Sequence, residues 1–140
     1  MEPHTDVAAK YFAAMEWRFV AMSSVSVTSV DIAVIGGGPA GIAAAVTAAE
    51  SSRDVVLIDD NPKPGGQIWR QGTEAPRSRH AAFWFERLVK SRVRTMHCAR
   101  VIQAARNELQ IETDESVSTL RFEKLILATG DRKSVVRERV

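Results

Sequence analysis

Asp31-Ile-Ala-Val-Ile-Gly-Gly-Gly-Pro-Ala-Gly-Ile-Ala-Ala-Ala45 decides how this chain is read. A short apolar run, Ile32 to Ile35, predicts a buried strand, and an alanine-rich helix follows a turn of glycines. The glycines fall as Gly36-x-Gly38-x-x-Gly41, the spacing of a dinucleotide-binding β-α-β unit. Gly36 suits a tight turn out of the strand. Gly38 lets the backbone approach a pyrophosphate, and Gly41 lets helix and strand pack closely. The first turn of the helix then offers unpaired N–H groups and a partial positive charge to phosphate. Pro39 fits there, because its missing N–H would have had no partner in the first turn.

Working outward, the helix is expected to run from Pro39 to about Ser51 and to stop at Ser51-Ser-Arg-Asp54 without the usual glycine. Val55-Val-Leu-Ile58 is apolar throughout, as a strand covered on both faces should be. It runs into Asp59 and Asp60. Asp59 stands 23 residues after Gly36, close to the spacing of a carboxylate that accepts hydrogen bonds from an adenosine ribose. A negative charge there also disfavours a 2′-phosphate.

Asn61-Pro-Lys-Pro-Gly-Gly-Gln-Ile-Trp-Arg70 holds two prolines and two glycines and is expected to be an ordered loop without helix or strand. It leaves the carboxyl end of the second strand, the edge at which open α/β sheets bind ligands. Ser78 to Ser91 places Ala81, Trp84, Phe85, Leu88 and Val89 on one helical face, so its aromatics are expected in a core. Val93 to Met96 reads as a third strand. Val101-Ile102, Leu109 to Thr113 and Leu120-x-Phe122 then suggest three short strands, turning at Arg106-Asn107 and Asp114-Glu-Ser116, as a small added sheet. Leu125-Ile-Leu-Ala-Thr129-Gly130 reads as one more buried strand ending in a glycine turn. His80 and His97 stand apart from any ligand or nucleophile spacing and are expected at the surface or satisfied in place.

The chain has 140 residues, 45% of them hydrophobic and 26% charged, which is the balance of one ordinary globular domain. A single cysteine, Cys98, rules out an internal disulfide or a cysteine-rich metal site and suits a reducing, cytoplasmic setting. The sequence pI is about 9.0. Its source is local: Asp131 to Val140 carries a net +2, which is the net charge of the whole chain. A basic tail is not the patch that nucleic-acid binding requires, so no nucleic-acid partner is expected. The apolar stretch from Tyr11 to Met22 is short and broken by Glu16 and Arg18, so no membrane span is expected either. Residues 1–22 precede the domain. They are expected to be translated upstream sequence ahead of Met22, or a short amphipathic helix over Ala8 to Ala21. Residues 23–130 are expected to form a partial nucleotide-binding domain.

Gly36-Gly-Gly-Pro-Ala-Gly41, Asp59, Pro64-Gly-Gly-Gln-Ile-Trp-Arg70 and Leu125-Ile-Leu-Ala-Thr-Gly130 occur in that order. Together they resemble the N-terminal FAD-binding half of the pyridine nucleotide-disulfide oxidoreductase superfamily. The Pro64 to Arg70 stretch is similar to a narrower group within it: the flavoprotein subunits of opine oxidase and hydrogen cyanide synthase, and the sarcosine oxidase alpha chain. Trp69 stands where that group leads one to expect tyrosine. The resemblance implies a Rossmann-like α/β domain of three layers, a parallel sheet flanked by helices plus an antiparallel β-meander, incomplete at the C-terminus. It implies FAD as cofactor, with Gly36, Gly38, Pro39, Ala40 and Gly41 at the pyrophosphate and Asp59, with Asp60 beside it, at the ribose. Gly65, Gly66 and Gln67 would lie along the flavin, Val101 would meet the adenine through its backbone, and Thr129-Gly130 would close over the cofactor.

The implied chemistry is electron transfer through the flavin from a small-molecule amine or amino acid such as an opine, sarcosine or glycine. The implied assembly is a hetero-oligomer, with NAD(P) in a second domain beyond this chain. No catalytic residue and no metal ligand can be named. An NAD-dependent dehydrogenase domain, a thioredoxin-reductase-like flavoprotein and a non-catalytic nucleotide-binding module stand as alternatives. Asp131 to Val140 lacks the proline-rich connection that follows Ala-Thr-Gly in the family. It resembles the translation of a sequencing adapter, so an artefactual tail on a truncated gene is expected. Such a fragment would hold only the ADP half of the cofactor, would show no turnover alone and would leave an unpaired apolar sheet edge.

Overall fold

The computed structural model describes residues 27–69 and 79–130. The expectations for residues 1–22, Arg70 and the 131–140 tail lie outside the described residues. The elements are β1 (Val27–Ile35), α1 (Pro39–Glu50), β2 (Val55–Ile58), α2 (Gly66–Trp69), α3 (Arg79–Lys90), β3 (Arg94–Met96), β4 (Arg100–Ala105), β5 (Glu108–Glu112) and β6 (Val117–Leu127). They form one mixed sheet in the order β3-β2-β1-β6-β5-β4. The strands β3, β2, β1 and β6 run parallel, while β6, β5 and β4 form an antiparallel meander.

The hydrophobic pattern sorts into two cores, one on each side of the parallel strands. Val34, Val55 and Leu57 face the helices, where Ile42, Ala45 and Val46 of α1 meet Ala81, Phe85 and Leu88 of α3. The small side chains of Ala45 and Ala49 bring α1 close to the sheet. On the other face Ala33, Val56 and Ile58 pack against Leu109, Ile111 and Leu120 of the meander. All four β2 residues are buried, which is why that strand reads as an unbroken apolar run. The result is the three-layer α/β architecture.

Four features depart from the sequence expectation. First, β1 begins at Val27 rather than Ile32. The N–H groups of Asp31 and Ile32 both donate to the Asp54 carbonyl, at 2.9 and 3.0 Å, as in a β-bulge. Val30 consequently packs in the meander core although Val34, four residues on, packs in the helix core. That change of face hides the first half of the strand from a period-of-two reading. Second, the Pro/Gly loop contains the single helical turn α2. Third, the meander is not a separate sheet. Its last strand and the strand ending at Ala128 are one 11-residue strand, β6, which pairs with β5 through Arg121 and with β1 through Leu127. Fourth, β3 starts at Arg94, one residue later than expected.

The stop of α1 follows its own chemistry. Ser52 takes the left-handed conformation (φ 61°) that a glycine would have supplied, and its N–H donates to Ala49 O at 3.1 Å. Beyond Arg121 the outer side of β6 pairs with no other strand among the described residues, and Leu127 is 68% exposed there. No helix among the described residues is long and apolar enough to cross a membrane.

Candidate functional site

The carboxyl ends of β1, β2 and β6 meet at one edge of the sheet, and the glycine turn is built into that meeting point. Gly36 takes φ 111°, donates its N–H to Ile58 O at 2.8 Å, and lies so close to β6 that a Cβ on it would come within 2.2 Å of Ala128 O. Ala128 N–H in turn donates to Ile35 O at 2.8 Å. A Cβ on Gly41 would stand 1.6 Å from Gly36 O, so α1 sits on the turn as closely as backbone allows. Gly38 differs. It caps α1 in extended backbone, and a Cβ added to it would meet only Gly66 Cα, at an ordinary 3.7 Å. The protein itself leaves that space open. No side chain caps the first turn of α1, where Pro39 holds the first position and Ala40 is exposed.

Asp59 separates from Asp60 here. Asp60 is exposed, whereas Asp59 is 6% exposed and packed against the glycine turn. A Cβ on Gly37 would come within 2.5 Å of Asp59 Oδ2, so the residue between the fingerprint glycines determines where the carboxylate rests. The fingerprint spacing does not mark Gly37, because the side chain that requires a glycine there comes from another strand. The Asn61 side-chain amide donates to Asp59 Oδ1 at 3.3 Å, while Oδ2 is buried with no hydrogen-bond partner. Burial pushes the Asp59 carboxyl above its ordinary value, and the charge of Asp60 adds to this. The Asn61 side chain and the backbone N–H groups of Asn61 and Gly37 pull the other way. A buried acceptor without a donor is costly to keep. A ligand hydroxyl is the kind of group that would satisfy it.

The remaining expected residues distribute around these two features. Gly65 and Gly66 lie over the turn, with Gly65 N–H donating to Gly37 O at 2.7 Å. Gln67 falls within α2. Thr129 and Gly130 are exposed at the end of β6, directly after the Ala128 contact with Gly36. Val101 lies in β4 and turns its side chain into the meander core, which leaves its backbone at the strand edge. The β3–β4 connection reaches Asp59 too: Ala99 N–H donates to Asp59 O at 3.0 Å and Cys98 N–H to Asn61 O at 3.1 Å. His80 is exposed and His97 is buried at 3%. Among the described residues no group of three or more His, Cys, Asp or Glu is placed to hold a metal ion.

Cys98 is held at φ 52° in this connection, a left-handed conformation that costs a side-chain-bearing residue about 1 kcal/mol. Urea denaturation is expected to rank the variants accordingly. Cys98→Gly should unfold no earlier than wild type, and Cys98→Val about 1–2 kcal/mol less stable, because a β-branched residue tolerates φ > 0 worst. Equal stability of the glycine and valine variants would contradict the strained turn.

An open groove of about 460 Å³ lies at the other end of the strands, between the first half of β1 and the β4–β5 turn, lined by Asp31, Asp54, Arg106, Glu108 and Arg121 among others. Two solvated ion pairs border it, Arg94 on Asp54 and Arg121 on Glu108, and no buried polar group without a partner faces it.

Comparison with known proteins agrees with the geometry. The sequence profile of the FAD dependent oxidoreductase family matches residues 31–133. An opine oxidase subunit of Agrobacterium tumefaciens (strain Ach5) is 58% identical over 43 residues, 31% of this chain and 8% of that protein. The alpha subunit of sarcosine oxidase from Corynebacterium sp. (strain U-96) is 39% identical over 56 residues, 40% of this chain and 6% of that protein. Among solved structures, the thioredoxin reductase of Streptococcus pyogenes MGAS5005 superposes with a TM-score of 0.56 at 26% identity, covering 77% of this chain and 37% of its own. The chain therefore spans well under half the length of each of these proteins.

Proposed function

Because this chain belongs to the FAD dependent oxidoreductase family, we propose that its glycine turn and Asp59 anchor the ADP half of FAD in an enzyme that oxidises amine or amino-acid-type substrates. The observation that carries the proposal is the buried, partnerless Asp59 Oδ2 beside an open space over Gly38, both at the carboxyl edge of the parallel strands. The residues fit the cofactor. Gly36, Gly38, Ala40 and Gly41 supply backbone at the first turn of α1 for the pyrophosphate, with Pro39 fixing its entry. Asp59 accepts the ribose hydroxyls, and Asp60 adds negative charge at the rim. Gly65, Gly66 and Gln67 extend the site toward the flavin, Val101 borders the adenine, and Thr129-Gly130 closes the edge.

Bound FAD supplies an acceptor for the two electrons and the proton that leave the substrate C–H bond. This chain's own residues bind and orient the cofactor. The amine-type substrate class rests on the names of the opine oxidase and sarcosine oxidase relatives. Both are named as subunits, which supports a hetero-oligomeric assembly for this protein as well. A cytoplasmic location is in keeping with the single cysteine.

Calorimetric titration of the purified protein with ADP and with ADP carrying a 2′-phosphate tests the site. ADP is expected to bind, and the 2′-phosphorylated form at least about tenfold more weakly, since Asp59 and Asp60 repel it. A flavin absorption band in protein purified with its cofactor separates FAD from NAD. Equal affinity for both nucleotides, or for neither, would sink the proposal.

A further inference from the structure

We propose that Trp69 is the positioning residue of the diphosphate cradle: its ring anchors the Gly65–Gly66 loop to α3, and so sets the height of that loop over the Gly37–Gly38 turn. The inference rests on the FAD reading of the site. A four-residue helix has no stability of its own, so α2 must be held from outside. Its first end is pinned by Gly65 N–H on Gly37 O at 2.7 Å and by the buried Pro64. Its last residue does the rest. Trp69 N–H donates to Gly65 O at 3.0 Å, closing the turn, and the indole packs edge-on against Phe85 at 6.0 Å and tilted against His80 at 6.5 Å. Phe85 is fully buried in the helix core. One ring thus ties a glycine loop to the rigid part of the fold.

The loop has little room to drift while that tie holds. A Cβ on Gly66 would lie 2.9 Å from Gly38 Cα, so the two glycine segments already touch, backbone to backbone. Any shift of α2 therefore changes the open space over Gly38, which is where the proposal seats the diphosphate. Asp59 is held independently, by the β2–β3 and Asn61 hydrogen bonds. Losing the indole should loosen the diphosphate end of the site and spare the ribose end.

The experiment compares ADP with AMP, which lacks the β-phosphate but keeps the ribose, in calorimetric titrations of the full chain. In Trp69→Ala the ratio of ADP to AMP affinity is expected to fall about tenfold, with AMP affinity within about twofold of wild type and a native circular dichroism spectrum. Trp69→Leu, which keeps apolar volume without the ring contacts, should show the same fall if the alanine variant does not fold. Trp69→Phe should restore the ratio to within about threefold. A ratio unchanged in both the alanine and leucine variants overturns the inference, and so does an equal fall for ADP and AMP. Wild-type protein that binds neither nucleotide overturns instead the FAD reading beneath it.

Discussion

Gly41→Ala is expected to destabilise the protein by about 3 kcal/mol or more, one of the largest effects available to a single methyl group. The added carbon would stand 1.6 Å from Gly36 O and 2.8 Å from Gly36 C, and both are backbone atoms that no rotamer change can move aside. Relief requires α1 to lift off β1, which opens the core formed by Val34, Ile42, Ala45 and Val46. Gly36 cannot retreat, because it is tied to Ile58 and pressed against Ala128. Gly38→Ala provides the contrast. Its methyl meets nothing closer than 3.7 Å, so the stability cost should stay below about 1 kcal/mol while ADP binding is lost to a carbon standing in the diphosphate space. Urea denaturation followed by circular dichroism reads the first effect, and calorimetry the second. A Gly41→Ala protein as stable as wild type would show that strand and helix do not approach as described.

Asp59→Asn should cost about 1.5–3 kcal/mol of ADP binding, roughly 10- to 150-fold in affinity, the usual loss when a charged acceptor of a hydrogen bond is neutralised. Its effect on stability has the opposite sign. Burial raises the Asp59 pKa in the folded protein above 3.8, so between these two values the folded state binds more protons than the unfolded chain. Stability therefore declines as pH rises through that window, and the cost of the buried charge is fully present above it. The asparagine variant carries no such cost. It should be at least as stable as wild type at neutral pH and should lose the Asp59 part of the pH dependence in the acid range. Nucleotide binding follows the reverse course in wild type. Donation from ribose hydroxyls favours the ionised carboxylate, so ADP affinity should rise as pH climbs through the raised pKa, and this rise should vanish in the variant. Thermal unfolding and calorimetry over a pH series measure both. A variant that binds ADP with wild-type affinity would remove Asp59 from the ribose.

Much of the fold was legible because local sequence dictates local geometry. The glycine spacing at 36, 38 and 41 announced a strand, a turn and a helix, and α1 begins at Pro39 as expected. The apolar run at Val55 to Ile58 announced a strand buried on both faces, and the spacing of Ala81, Phe85 and Leu88 announced the buried stripe of α3. Arg106-Asn107 marked a hairpin turn, and Asn107 does take a left-handed conformation there (φ 63°).

What the sequence left hidden has a physical reason in each case. α2 begins on the second of two glycines that resist helix, and it is held because Trp69 finds Phe85 and His80 on a helix that starts 13 residues after Gly66. β6 looked like two strands because Glu123 and Lys124 interrupt its apolar pattern, yet β1 pairs along it to Leu127. The 23-residue spacing from Gly36 favours Asp59 for the ribose, but nothing in Ile58-Asp-Asp-Asn61 says that this aspartate is buried and Asp60 exposed. The sequence by itself determined that a nucleotide-type turn and a carboxylate are both present, since backbone sterics and hydrophobic period are local properties. Only the tertiary structure decided that Asp59, and not Asp60, lies against Gly37 with one oxygen unpaired, because that choice depends on the register between parallel strands more than 20 residues apart.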